Sequence, residues 1–379
     1  MSTKRLYLLY FIIGSANAIA IQMLPLILTE KSFDANQVTM ALSVVFLAAL
    51  FQPVIGYLTK SKFGSKRMIQ FLLTVMAIMT LVIFATTKFI PMLFIVLLLS
   101  IARTSISPIY DSYTTMAATT HGVNYGLIRS GASLGFGTGM AIYTIIANIF
   151  GFGNSASFVF ASILLMIGLV IIAALPHEDT KQQLQSIGSE QSSLIMSVLL
   201  ISMFMLYFGA LNIRLSYLSM YYIEFGYSNS FISLTTFFMV IPEIIFLPLY
   251  NRFFAKYNKV LLLCISLIIG ILQILMYIAF TNSPGLLLFG SLFNGFQIMI
   301  FFPTYFGLLQ KSLGPKNSSF GFIMNMTMMS IFVGVFNTVV IRPIYVAANS
   351  TIPIFWLIIC LQIAAFVPLL VYNFKNSVK

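Results

Sequence analysis

Charge is what this sequence has least of. Only 7% of the residues are Asp, Glu, Lys or Arg, against 60% hydrophobic, whereas a soluble domain is about a quarter charged. That balance excludes an ordinary water-soluble globule and indicates a polytopic membrane protein. Acid is scarcer still, with 8 carboxylates against 20 Lys and Arg, giving a net charge of +12. In a soluble chain such a surplus would point to nucleic acid; here membrane orientation accounts for it. The two cysteines, Cys264 and Cys360, lie deep in apolar runs, so neither a disulfide nor a metal site is indicated. Of the two histidines, His121 falls in a polar turn and His177 in a polar stretch, both read as solvated. No catalytic nucleophile, metal-ligand cluster or phosphate-binding glycine loop is evident. The sequence therefore supports neither a membrane enzyme nor an ATP-driven pump, and calls for no cofactor.

What is present is a series of long apolar runs. A helix needs about twenty predominantly apolar residues to cross a bilayer, and the chain divides into twelve such segments. They fall at 6–28, 37–59, 68–87, 90–119, 125–150, 154–175, 194–223, 229–250, 259–281, 284–311, 317–347 and 351–374. Lys4-Arg5 with Ala16-Asn17-Ala18 imitates a secretory signal, but the apolar run continues to Leu28 and is read as an uncleaved first helix. The one long polar interruption, 176–193, sits near the middle. The expected organisation is all-α, with two six-helix bundles at 1–175 and 194–379 joined by a linker at 176–193.

Lys and Arg are distributed unevenly over the alternate loops. The set holding Lys4, Arg5, Lys60, Lys62, Lys66, Arg67, Lys181, Arg252, Lys256, Lys259, Lys311, Lys316, Lys375 and Lys379 faces an opposite set of only Lys31 and Lys88. This asymmetry places both termini and the linker in the cytoplasm. The halves also repeat: Leu9-Tyr10-Phe11 recurs as Leu206-Tyr207-Phe208, Pro53 as Pro248, and the basic turn 60–67 as 252–259. Parallel six-helix repeats are a transporter layout with the solute site near mid-membrane.

Six ionisable residues remain inside the apolar runs: Arg103, Asp111, Arg129, Arg214, Glu243 and Arg342. Such residues cost several kcal/mol in hydrocarbon and normally face a watery cavity or each other. Asp111 and Arg129 flank a turn near residue 120 and stand at equal distance from it, so antiparallel helices would bring them to one depth. Gly131, Gly135 and Gly139 recur every four residues beyond Arg129, a spacing that lets helix backbones approach closely in lipid. Arg103, two helical turns before Asp111, serves either as a solute ligand or as an internal strut. Glu243, following Pro242, has no charged neighbour on its own helix. Because burial disfavours the charged form of a carboxyl, this residue is the first candidate for carrying a proton. Arg214 lies about 7 Å off the depth of Glu243 by residue count, too far for an easy pair. Arg342 is expected to snorkel to the interface.

The run Tyr125-Gly126-Leu127-Ile128-Arg129-Ser130-Gly131-Ala132-Ser133-Leu134-Gly135-Phe136 resembles the fifth-helix motif of the lactose-permease-like branch of the major facilitator superfamily, which also holds nucleoside and phenylpropionate permeases. The resemblance implies a bacterial cell-membrane transporter with Asp111 and Arg129 as solute ligands, Phe136 as a stacking surface and Ser133 beside it. In the tenth helix the family's titrating histidine and glutamate correspond to Asn294 and Gln297, which carry no proton and are expected to contact solute together with Arg214. The aspartate of the family's signature between helices two and three is missing from 56–67. The implied activity is proton-coupled import of a sugar, nucleoside or aromatic acid, with Glu243 and Asp111 in the coupling, by a monomer working with solute, protons and lipid. A proton-driven drug or metabolite exporter is the alternative, since Arg103 loosely resembles an antiporter fourth-helix arginine without the Gln-Gly that follows it.

Overall fold

The structure, a computed structural model, describes residues 3–121, 125–175, 194–254 and 256–377. The expected linker, with His177 and Lys181, and the turn residues 122–124 lie outside the described residues. Fourteen α-helices are present among the described residues: α1 Thr3–Glu30, α2 Ala35–Leu47, α3 Gln52–Leu58, α4 Ser65–Ala85, α5 Phe89–His121, α6 Tyr125–Phe150, α7 Ala156–Ala173, α8 Leu194–Glu224, α9 Asn229–Phe246, α10 Tyr250–Phe253, α11 Lys259–Ala279, α12 Pro284–Phe336, α13 Arg342–Ala348 and α14 Ile352–Ser377. Twelve stretches of helix are long and apolar enough to cross a membrane, as the apolar runs predict. Hydrocarbon offers no partner to backbone polar groups, so each crossing must satisfy its own, and a helix does this.

Two compact units divide the chain. One comprises Met1–Gln185 with Asn229–Ser233, the other Ser186–Ser228 with Leu234–Lys379. The first turn of α9 thus groups with the first unit, which a simple division into halves does not anticipate.

In the first unit α1 is the central element, packing on α6 and α7, while α4 packs on α5 and α7. Its apolar residues run round the whole circumference, and Leu6, Leu9, Ile13, Ile19, Met23 and Ile27 are all buried, as a helix without a polar face must be. The glycine stripe of α6 explains how closely α1 approaches. A Cβ at Gly131 would stand 2.7 Å from the Tyr7 carbonyl oxygen, one at Gly135 would collide with the Phe11 carbonyl, and one at Gly139 would stand 2.5 Å from Ser15 Cβ. The contacts advance in step by four residues on each helix, so α1 and α6 run parallel in register. Gly14 answers from the other side, its missing side chain making room for the Ala132 carbonyl. Ser15 Oγ then donates to the Gly135 carbonyl at 3.0 Å across the seam. Basic side chains close helix ends: Arg5 donates to the Ala174 carbonyl at 3.2 Å and Lys66 to that of Ala173 at 3.0 Å, where the dipole of α7 favours positive charge.

In the second unit α8 packs on α12 and α14, and α11 on the same two helices. Glu224, ending α8, accepts from Ser350 Oγ at 2.6 Å, from the Thr351 backbone N–H at 2.8 Å and from Thr351 Oγ1 at 2.7 Å, tying α8 to the start of α14. The internal repeat has a backbone signature too. A 3-10 turn at Ala48–Phe51 precedes α3 and Pro53; its counterpart at Leu247–Leu249 contains Pro248 and precedes α10. A proline lacks an amide hydrogen and crowds the turn before it; Pro53 stands just after its 3-10 turn and Pro248 inside its own.

Two local expectations change. His121, expected in a turn, is the last residue of α5. The break expected between the tenth and eleventh segments is absent: helical bonding continues through Pro284–Phe336, with two crossing stretches inside or beginning in it, Pro284–Leu309 and Met324–Ala348. Gly314-Pro315 lies between them without ending the helix, because proline removes one bond and the turns on either side retain theirs.

Candidate functional site

Asp111, the last residue of the crossing stretch Phe89–Asp111 of α5, is half-buried and accepts a hydrogen bond from the Tyr10 phenol on α1. Tyrosines surround it. Tyr110 and Tyr113 are fully buried; the rings of Tyr10 and Tyr110 lie 4.3 Å apart, and those of Tyr110 and Tyr113 stack at 6.4 Å with an 18° interplanar angle. Tyr110 also donates to the Leu6 carbonyl at 2.8 Å. The carboxylate therefore sits where α5 is pinned to α1 over residues 6–10.

Arg129, on α6, is exposed. It precedes Gly131, which rests on Tyr7, so Asp111 and Arg129 both flank one short stretch of α1. Ser133 and Phe136 are half-buried further along α6, and Arg103 is half-buried two turns up α5 from Asp111. On the first unit, Asp111 is thus tied to α1 through Tyr10, and Arg129 lies two residues before the glycine that packs on Tyr7. Tyr10 is the residue sequence reasoning missed. Its only signal was membership of the repeated Leu-Tyr-Phe triplet, whose second copy supplies Tyr207, bonded to Ser266 Oγ at 2.5 Å in a buried position.

The second unit holds a different arrangement. Arg214, on α8, is completely buried, with Nη1 donating to Gln273 Oε1 and, at 3.4 Å, to Gln297 Oε1, and Nη2 donating to Asn294 Oδ1. The structure therefore brings Arg214, Asn294 and Gln297 together, adds Gln273 from α11, and has none of them open to solvent. Glu243 is half-buried on α9 directly after Pro242 and is not among the partners of Arg214. Arg342 opens α13 in a half-buried position behind a π turn at Asn337–Ile341. Among the described residues no group of three or more His, Cys, Asp or Glu gathers as a metal site would require.

Twelve helical stretches long and apolar enough to cross a membrane define a polytopic membrane protein. The family model described as Major Facilitator Superfamily matches residues 6–337. The chain belongs to that superfamily. Among solved structures it is similar to a variant of the nucleoside transporter NupG, with a TM-score of 0.78, 16% identity, and 98% of this chain and 99% of that chain covered. It is similar also to a D-xylose-proton symporter, with a TM-score of 0.71, 14% identity, and 97% and 96% coverage. A proton-dependent oligopeptide transporter aligns at a TM-score of 0.70, with 12% identity and 98% of each chain covered. At these identities the likeness is one of fold. No curated protein sequence matches the chain.

Proposed function

We propose that this transporter is a proton-coupled importer of a small polar solute, a sugar, nucleoside or aromatic acid, working by alternating access in the cell membrane with both termini in the cytoplasm. The observation that carries the solute assignment is Asp111 held by the Tyr10 phenol amid buried tyrosines. In this reading Asp111 and Arg129 grip the hydroxyls or carboxylate of the solute, Arg103 and Ser133 add polar contacts, and Phe136 covers an apolar face. The fold shared with a nucleoside transporter and a sugar-proton symporter supports that range of solutes.

Glu243 carries the proton in this scheme, with Asp111 coupled to it through solute occupancy. Coupling requires that protonation strengthen solute binding, and linkage then requires that bound solute raise proton affinity by the same factor. Purified protein in vesicles with an imposed inward proton gradient tests this, scored by accumulation of labelled sugars, nucleosides and aromatic acids. Asp111→Asn abolishes uptake of the accepted solute. Glu243→Gln leaves exchange of solute across the membrane but no uphill accumulation; accumulation against a gradient by that variant removes Glu243 from the coupling role.

A further inference from the structure

Arg214, Asn294 and Gln297 are closed off inside the second unit, but α8 offers another face. From Tyr207 to Tyr222 this helix has no exposed residue, and Phe208, Asn212 and Leu215 alone are half-buried. Spacings of four and three put these three on one side of the helix. A stripe in α11 shows what hydrocarbon-facing residues look like in the same unit: Leu261, Ile265, Ile268, Leu272 and Leu275 repeat at the same spacings, all exposed and all aliphatic. The α8 stripe is shorter, less exposed and carries an amide. A polar side chain within an apolar crossing faces the bundle interior or water.

Both groups at the centre of this stripe are held in place. Asn212 Nδ2 donates to the Phe208 carbonyl one turn back at 2.8 Å. A carbonyl accepts only from the NH2 end of an amide, so Oδ1 is the end left over, without a partner among the described residues and open at the helix surface. The Phe208 ring lies parallel to that of Phe301, with 2° between planes and centroids 6.0 Å apart, and edge-on to that of Phe302 at 76° and 5.1 Å. Phe301 is itself buried and stacked on Tyr207 at 4.1 Å and Tyr305 at 5.4 Å. The half-open ring of Phe208 therefore rests on a fixed aromatic bed. One turn further, about 6 Å along the helix, stands a fixed hydrogen-bond acceptor.

We infer that this stripe is a solute-contact surface of the second unit, with Phe208 packing on a flat ring and Asn212 Oδ1 accepting from an N–H or O–H that the ring itself bears. The assignment rests on the importer reading and narrows it. A nucleoside whose base carries an N–H, or a hydroxylated aromatic acid, fits; a sugar or an aromatic acid without a ring donor does not. The stripe has no cation, so the carboxylate of an acid is not held here.

The test is dissociation constants from ligand-dependent thermal unfolding of the purified full-length protein. Two pairs of probes differ by one ring donor, uridine with 3-methyluridine and 4-hydroxyphenylpropionate with phenylpropionate, and xylose stands for sugars. Wild type binds the donor-bearing member of one pair at least about fivefold more tightly than its partner, the worth of one neutral hydrogen bond. Asn212→Ala removes that preference by weakening the donor-bearing member alone. Phe208→Leu weakens both members by about fivefold, as loss of an aromatic pair does. Ligand-free midpoints control for folding, and the wild-type comparison needs no variant. Equal affinities within both pairs, a response to xylose alone, or no response to any ring-bearing probe overturns the inference. Equal weakening of both members by Asn212→Ala overturns it too, leaving Asn212 a structural role. Asp111→Asn separates the two readings: binding that persists there with its Asn212 dependence intact removes the first-unit solute site and keeps this one.

Discussion

The packing of α6 on α1 makes a quantitative prediction for Gly139→Ala. The added methyl would begin 2.5 Å from Ser15 Cβ and 2.7 Å from its Oγ, whereas carbon atoms prefer about 3.5–4.0 Å. The two helices must therefore part by about 1 Å at this level, and a gap of that size forfeits about a quarter to a half of each dispersion well along the seam. Overpacking of this kind costs about 1–3 kcal/mol, less the fraction of a kcal/mol that alanine gains over glycine as a helix former. The parting also stretches the Ser15–Gly135 hydrogen bond, now 3.0 Å. Gly56→Ala is the control, since a Cβ at that position on α3 meets nothing within 4 Å; it keeps only the helix-propensity gain and stabilises slightly. The measurement is the midpoint of thermal unfolding in detergent for both variants beside wild type. Gly139→Ala unfolding at or above the Gly56→Ala temperature would refute close backbone approach as the reason for the stripe.

Other expectations are more local. Tyr10→Phe removes the phenol that bonds Asp111; loss of a hydrogen bond to a charged group costs about 1.5–3 kcal/mol, so under the proposed solute assignment affinity changes by about tenfold or more, read by solute-dependent thermal shift. Glu224→Ala strips three acceptor contacts from Ser350 and Thr351 at the start of α14 and lowers the unfolding midpoint more than Glu224→Gln, which retains one amide oxygen. Asp34→Ala deletes the capping box in which Asp34 accepts from the Gln37 N–H at 2.7 Å and the Gln37 side chain accepts in return at 3.1 Å. It costs about 1 kcal/mol, seen as faster amide exchange through the first turn of α2.

The resemblance carried by residues 125–136 led to the superfamily that the family model also finds. Polar partners were harder to foresee. Asn294 and Gln297 were noticed because they replace titrating residues, yet their common neighbour Gln273 had no feature to distinguish it from any polar residue in an apolar run. Depth along the helices gave no partner for Arg214, and the amides it meets lie 59 to 83 residues away along the chain.

The sequence by itself determined how many times the chain crosses hydrocarbon and which side chains are anomalous there, because the solvent is so uniform that every crossing must be an apolar helix and every charge stands out. It also announced that α6 has a bare face. Only the tertiary structure decided that α1 covers that face in parallel register, that Tyr10 holds Asp111, and that Arg214 is surrounded by amides without an acid. Helical spacing fixes what points in one direction from one helix; which neighbour stands there depends on how several near-equivalent apolar helices pack, and that is settled by contacts far apart in the chain.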